Sequence, residues 1–112
     1  MELMGMLVTA DIWLNTMPDV DNLIKISESS INNSNMNIVE KFRHSFNPQG
    51  ESLVYVLAES HYSVHSYPEQ KYISVDCYTC GLEGNPKACI NSLLSSLDVN
   101  HVKINVIKRG VY

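Results

Sequence analysis

Positive charge is scarce in this 112-residue sequence: eight lysines and arginines stand against twelve aspartates and glutamates, a formal charge of −4. A nucleic-acid binder needs a basic patch to neutralise phosphates, so that class is excluded first. Long apolar runs are missing too. The start, MELMGMLVTADIWL, carries Glu2 and Asp11 and is too short and too interrupted for a membrane span or a signal peptide. Cysteine is sparse and odd in number, at Cys77, Cys80 and Cys89. With no secretory leader in view, these read as reduced thiols of a cytoplasmic protein rather than a disulfide framework. No repeat and no long linker divides the chain, so one domain over residues 1–112 is expected.

The apolar residues that are present fall into short, strand-like runs. Residues 4–14 read as a first strand. Pro18, Asp19 and Asp21 open a helix with Val20, Leu23, Ile24 and Ile31 as its buried stripe. The run SESSINNSNMN, residues 27–37, reads as a loop, because Ser and Asn side chains compete with helical hydrogen bonds. Strands then follow at about 36–46, 52–58, 60–66 and 72–79, with turns at NPQGE and YPEQK. Gly81 and Gly84 break the chain. Asn85 and Pro86 look like an N-cap and first helical residue, ahead of a face made by Ala88, Ile90, Leu93, Leu94 and Leu97. A last strand, 101–108, alternates outward Lys103 and Asn105 with inward Val and Ile. The order β-α-β-β-β-β-α-β, with short middle connections, predicts an α+β two-layer sandwich: a mainly antiparallel sheet with both helices on one face. The other face is left to solvent or to another layer.

Two constellations could carry chemistry. His61 and His65 followed by Cys77 and Cys80 have the ligand types and the C-x₂-C spacing of a zinc site. Residues 77 and 80 of one strand point to opposite faces, however, which works against zinc, and no metal is expected. A C-x-x-C redox pair usually opens a helix, and here the helix starts later. The second constellation is Ser60 with His65, Cys80 and Ser52. A nucleophilic serine needs a base and an oxyanion partner, yet no G-x-S-x-G elbow is present. A serine that follows glutamate at a strand boundary permits another use, attack on its own upstream carbonyl. The plain alternative makes Ser60 a strand hydroxyl, His65 a satisfied histidine and Cys80 a small core residue.

The stretch AESHYSVHSYPEQKYISVDCYTCG, residues 58–81, closely resembles the core motif of the small bacterial and archaeal pyruvoyl-dependent S-adenosylmethionine decarboxylase proenzymes. Upstream, FRHSFNPQGESLVYVL contains that family's His-x-Phe-x-Pro-x-Gly pattern at His44, Phe46, Pro48 and Gly50, and GMLVTADI and VIKRGVY are weaker echoes. The resemblance implies autocatalytic cleavage between Glu59 and Ser60, giving a 1–59 β-chain and a 60–112 α-chain whose residue 60 becomes a pyruvoyl group. Ser52 matches the serine that polarises the cyclic intermediate, and His65 matches the histidine that takes the Ser60 α-proton. The pyruvoyl ketone would form a Schiff base with the amine of S-adenosylmethionine and act as electron sink, feeding aminopropyl groups to spermidine and other polyamines. Cys80 matches the proton donor, Phe46 the ring that stacks on adenine, and Glu69 the carboxylate that holds the ribose hydroxyls. The resemblance further implies a homodimer of αβ protomers, pairing into four αββα layers with sites shared between protomers.

Several positions depart from the pattern. Tyr67 stands where Trp is frequent, Cys77 and Tyr78 replace the usual Val and Phe, and Leu7 replaces a common histidine. Rival readings are a pyruvoyl-dependent decarboxylase of another amino acid, such as ornithine or arginine, a non-catalytic homologue that binds a partner, and a zinc-binding module. Phe46 and Glu69 favour the nucleoside substrate.

Overall fold

The structure, a computed structural model, describes residues 4–80 and 85–112. The elements follow the expected order: β1 (Gly5–Leu14), α1 (Val20–Asn33), β2 (Ile38–Ser45), β3 (Glu51–Leu57), β4 (Ser60–Tyr67), β5 (Tyr72–Cys80), α2 (Pro86–Ser95) and β6 (Val99–Arg109), with a 3₁₀ turn at Pro68–Gln70. The break expected at Gly81 and Gly84 lies outside the described residues. All pairings are antiparallel, in the order β2-β3-β4-β5-β1-β6. The first strand thus enters between β5 and β6, and the chain's last long strand forms an edge.

Strand alternation sorts the side chains into two faces. Val8, Ala10, Ile12 and Leu14 of β1 are buried, together with Ile73, Val75 and Cys77 of β5, Tyr62 and Val64 of β4, and Leu53, Tyr55 and Leu57 of β3. Both helices cover this face. Leu23 and Ile31 descend from α1, and Cys89, Ile90 and Leu93 from α2. Asp19 caps α1 by accepting from the Asn22 amide at 2.8 Å, and Asn85 caps α2 by accepting from the Ala88 amide at 3.0 Å. Among the described residues no helix is long and apolar enough to cross a membrane.

The structure corrects the sequence reading of residues 27–37. Helix α1 continues through Asn33, so most of the expected loop is helical. The serines that should compete with the helix are absorbed by it. Ser30 donates to the Ile26 carbonyl four residues back (2.7 Å), Ser34 donates to the Ser30 and Ile31 carbonyls, and the buried Ser27 hydroxyl meets the Tyr62 hydroxyl at 2.8 Å. Ile31, fully buried in the middle of the segment, anchors it. Burial of one face outweighs weak propensity.

A second correction concerns β6. Its Val102, Ile104 and Val106 do share the helix-side face, opposite Ile12, Ala10 and Val8. Ile104 and Val106 nevertheless stay 41% and 44% exposed, because β6 is the sheet edge. Ala88, Leu94 and Leu97 of the expected α2 face are only half-buried, and Cys89 takes the central place.

The open face carries alternate residues of every strand. Trp13, Phe42, Val56, Tyr67 and Ile107 leave substantial apolar surface there. Ile31→Ala should destabilise the protein by about 2–5 kcal/mol, the range for a large-to-small change in a packed core. Asn32→Ala, one residue along and exposed, should stay within about 0.5 kcal/mol. Urea unfolding of the two variants measures both. A harmless Ile31→Ala would return the segment to a loop.

Candidate active site

The β3–β4 hairpin organises every candidate residue. Its strands pair from Ser52 opposite His65 to Leu57 opposite Ser60, so Ala58 and Glu59 form a two-residue turn. Glu59-Ser60 therefore lies at a strand junction, as the motif suggested. Neither turn residue is one that two-residue hairpins usually recruit. Neighbouring strands hold the turn instead. From β5, the Cys80 amide donates to the Glu59 carbonyl at 2.9 Å and the Cys80 thiol donates to the same oxygen at 3.1 Å. From just before β2, Asn37 donates its amide N–H to Glu59 Oε1 (3.0 Å) and its side-chain Nδ2 to Oε2 (3.2 Å). The Asn37 carbonyl in turn accepts from the Ala58 amide at 2.9 Å.

At the opposite end of the hairpin, Ser52 Oγ and His65 Nδ1 share a hydrogen bond of 2.7 Å on the open face. They line a cavity with Phe46, Gln49, Gly50, Glu51, Ser66, Tyr67 and Glu69. Gly50, at φ +106°, lets the 46–50 turn close: the Phe46 amide donates to the Gly50 carbonyl at 2.8 Å, and an added Cβ would sit 3.2 Å from the Ser66 carbonyl. The turn sets the Phe46 ring edge-on to His44, with centroids 4.6 Å apart, and brings Gln49 Nε2 to Glu69 Oε2 at 2.8 Å. Tyr67 lies tilted against Tyr72 with ring centroids 5.4 Å apart, and Tyr72 against Trp13 at 5.2 Å. The Tyr72 hydroxyl donates to Asp11; burial first, then this carboxylate, pushes its pKa up to about 12.

The candidate residues thus form two groups. Glu59, Ser60 and Cys80 meet at the turn, while Ser52, His65, Phe46 and Glu69 gather at the far end. Five ladder steps separate them, roughly 17 Å along the strands. Within one chain, Ser52 does not reach the Glu59 carbonyl, and His65 falls on the face opposite to the Ser60 parity. The donors to that carbonyl come from Cys80.

A family model described as S-adenosylmethionine decarboxylase matches residues 8–110. The S-adenosylmethionine decarboxylase proenzyme of Thermoanaerobacter sp. (strain X514) is 34% identical over 115 aligned positions, covering 100% of this chain and 93% of the relative. The proenzyme of the same name from Pyrococcus abyssi is 33% identical over 93 residues, 83% of this chain and 67% of the relative. The chain belongs to the S-adenosylmethionine decarboxylase family. A crystal structure of the adenosylmethionine decarboxylase of Aquifex aeolicus superposes with a TM-score of 0.89 at 24% identity, covering 100% of this chain and 95% of that one, and shows the shared fold.

Against this family background, Asn37 and Gln49 are the site residues that the sequence reading passed over. Gln49 lies inside the His-x-Phe-x-Pro-x-Gly pattern and could have been found there. Asn37 sits in a polar run with no local signal. Cys77 and Cys80 separate as strand geometry predicted: Cys77 is fully buried under α2, whereas Cys80 is exposed on the opposite face. Contact with Cys89, then burial, pushes the Cys77 thiol well above the ordinary range. Iodoacetamide should therefore alkylate the native protein once, at Cys80, and three times only after unfolding. Peptide mass mapping checks this, and early labelling of Cys77 or Cys89 would contradict the packing.

Proposed function

We propose that this chain is a self-cleaving, pyruvoyl-dependent S-adenosylmethionine decarboxylase that supplies an aminopropyl donor for polyamine synthesis. The observation that carries the reading is the Glu59 carbonyl, which receives both the amide and the thiol of Cys80 while a serine hydroxyl follows it in the chain. Donors aimed at such an oxygen stabilise the negative charge that grows on it during attack. A group made from Ser60 fits these residues.

In the processing step, Ser60 Oγ bonds to the Glu59 carbonyl carbon, the Glu59–Ser60 C–N bond breaks, and the hydroxyl proton passes to the nitrogen. A base then removes the Ser60 α-proton. The Cβ–Oγ bond breaks, and Glu59 leaves as a carboxylate that keeps the oxygen. Water converts the remaining dehydroalanine to the pyruvoyl group and ammonia. His65 is the base in this scheme, held by Ser52. When formed, the pyruvoyl group supplies a carbonyl that captures the substrate amine and accepts the electrons released with carbon dioxide. Cys80, exposed at the turn, returns a proton to the product carbon. Phe46 offers its ring face to the adenosylsulfonium, and Glu69, held by Gln49, takes the ribose hydroxyls.

The separation of the two groups supports a homodimer. If two open faces pack about a two-fold axis, the turn end of one hairpin meets the cavity end of the other, and each site then draws on both protomers. The apolar residues on the open face suit such a contact. Three free cysteines suit a reducing, cytoplasmic setting.

The purified protein should give two masses, residues 1–59 and a 60–112 fragment that resists amino-terminal sequencing. Ser60→Ala should remain one inactive chain. An active wild type that stays uncleaved, with an ordinary serine at position 60, would refute the reading. For the shared site, His65→Ala alone should fail to cleave but should be processed when co-expressed with Ser60→Ala. Absence of that rescue, or a fully active monomer in light scattering, would dismiss the dimer. Glu69→Gln should weaken use of S-adenosylmethionine by about 1–3 kcal/mol, the scale for an unpaired polar partner. Release of carbon dioxide from ornithine or arginine, but not from S-adenosylmethionine, would reassign the substrate.

A further inference from the structure

Glu59 is gripped from two sides. Its main-chain carbonyl is held by Cys80 at the end of β5, and its carboxylate is held by Asn37 just before β2. Among the described residues, Asn37 provides all the hydrogen bonds made by the Glu59 side chain. The Asn37 carbonyl also takes the Ala58 amide, so this one residue makes three bonds to the two-residue turn. Asn37 is itself firmly placed. Helix α1 ends at Asn33, Asn35 reverses the chain at φ +62°, and Met36 is buried with its amide donating to the Ile31 carbonyl at 3.3 Å. The clamp is therefore anchored in the core through Ile31 and Met36, although Asn37 lies on the surface.

A two-residue turn of Ala and Glu has no conformational preference of its own for this geometry. Without an outside hold, the Glu59 peptide plane would be free to rotate, and its carbonyl would leave the Cys80 donors. Reaction at that carbonyl depends on placement, since an error of about 1 Å can cost about 100-fold in rate. We propose that Asn37 is a positioning residue for self-cleavage, which pins the Glu59 carboxylate so that the Glu59 carbonyl stays on Cys80 for attack by the Ser60 hydroxyl. This rests on the self-processing reading above. It gives a role to the polar stretch after α1, which touches none of the reacting atoms.

The test follows conversion of newly synthesised proenzyme to its two fragments by intact mass, at neutral pH, after cell-free synthesis. Asn37→Ala should slow conversion about 10–100-fold. Because Asn37 is exposed, its truncation opens no cavity, and the thermal midpoint of uncleaved Ser60→Ala should barely move when Asn37→Ala is added. Asn37→Asp sets two carboxylates against each other and should be slower still. Adding Glu59→Gln to Asn37→Asp restores a donor opposite the new carboxylate and should bring the rate back to within a few-fold of Glu59→Gln alone. A purely structural role would not follow this exchange of donor and acceptor. Wild-type rates in Asn37→Ala and Asn37→Asp, or no recovery in the double variant, would overturn the proposal while leaving self-cleavage intact. A wild-type chain that never cleaves would overturn both.

Discussion

The β3–β4 register is the constraint on which the rest of the site depends. Once Ser52 stands opposite His65, the ladder must close at Leu57 and Ser60, and Ala58-Glu59 becomes the turn. A slip of β4 by one residue would exchange the faces of every side chain on that strand. Tyr62 and Val64, both fully buried, prevent that slip, because exposing them would cost several kcal/mol of apolar burial. The core under the helices thus determines where the Glu59–Ser60 peptide bond lies. Chemistry on the open face is set by packing on the covered one.

The same register explains why the site is divided. A serine and a histidine five residues apart on one strand occupy opposite faces and different levels, whatever their sequence proximity suggests. The turn end offers a polarised carbonyl with a thiol beside it, and the far end offers an imidazole, a hydroxyl and a carboxylate around a cavity. Neither end holds all the groups that an acyl shift, an elimination and a decarboxylation require. The face between them is partly apolar and, among the described residues, lacks a second layer.

Polar side chains stabilise this molecule where they are fully satisfied. Ser27, Ser30 and Ser34 are buried in and around α1 with bonds to Tyr62 and to carbonyls of the preceding turn. A buried hydroxyl left without a partner costs about 1–3 kcal/mol, so these contacts keep a serine-rich helix from being a liability. The helix then ends at a point from which Asn35, Met36 and Asn37 lead directly to the Ala58-Glu59 turn. The end of α1 and the Ala58-Glu59 turn are thus joined by a run of only a few residues.

The order of strands and helices, their caps and the apolar faces were legible in the sequence because they arise from local periods and from side chains reaching their own backbone. The candidate site residues could be named from the sequence too, since Glu59-Ser60, His65 and Cys80 stand in a stretch that resembles a family motif. Only the tertiary structure decided what long-range pairing decides: the place of β1 between β5 and β6, the exposure of Ile104 and Val106 on an edge, and the continuation of α1 through its serines. It also decided that the Glu59 carbonyl belongs to Cys80 and its carboxylate to Asn37, twenty-one and twenty-two residues away in the chain. No local pattern encodes such contacts. They exist because separate strands, each formed for its own reasons, are aligned by one buried core.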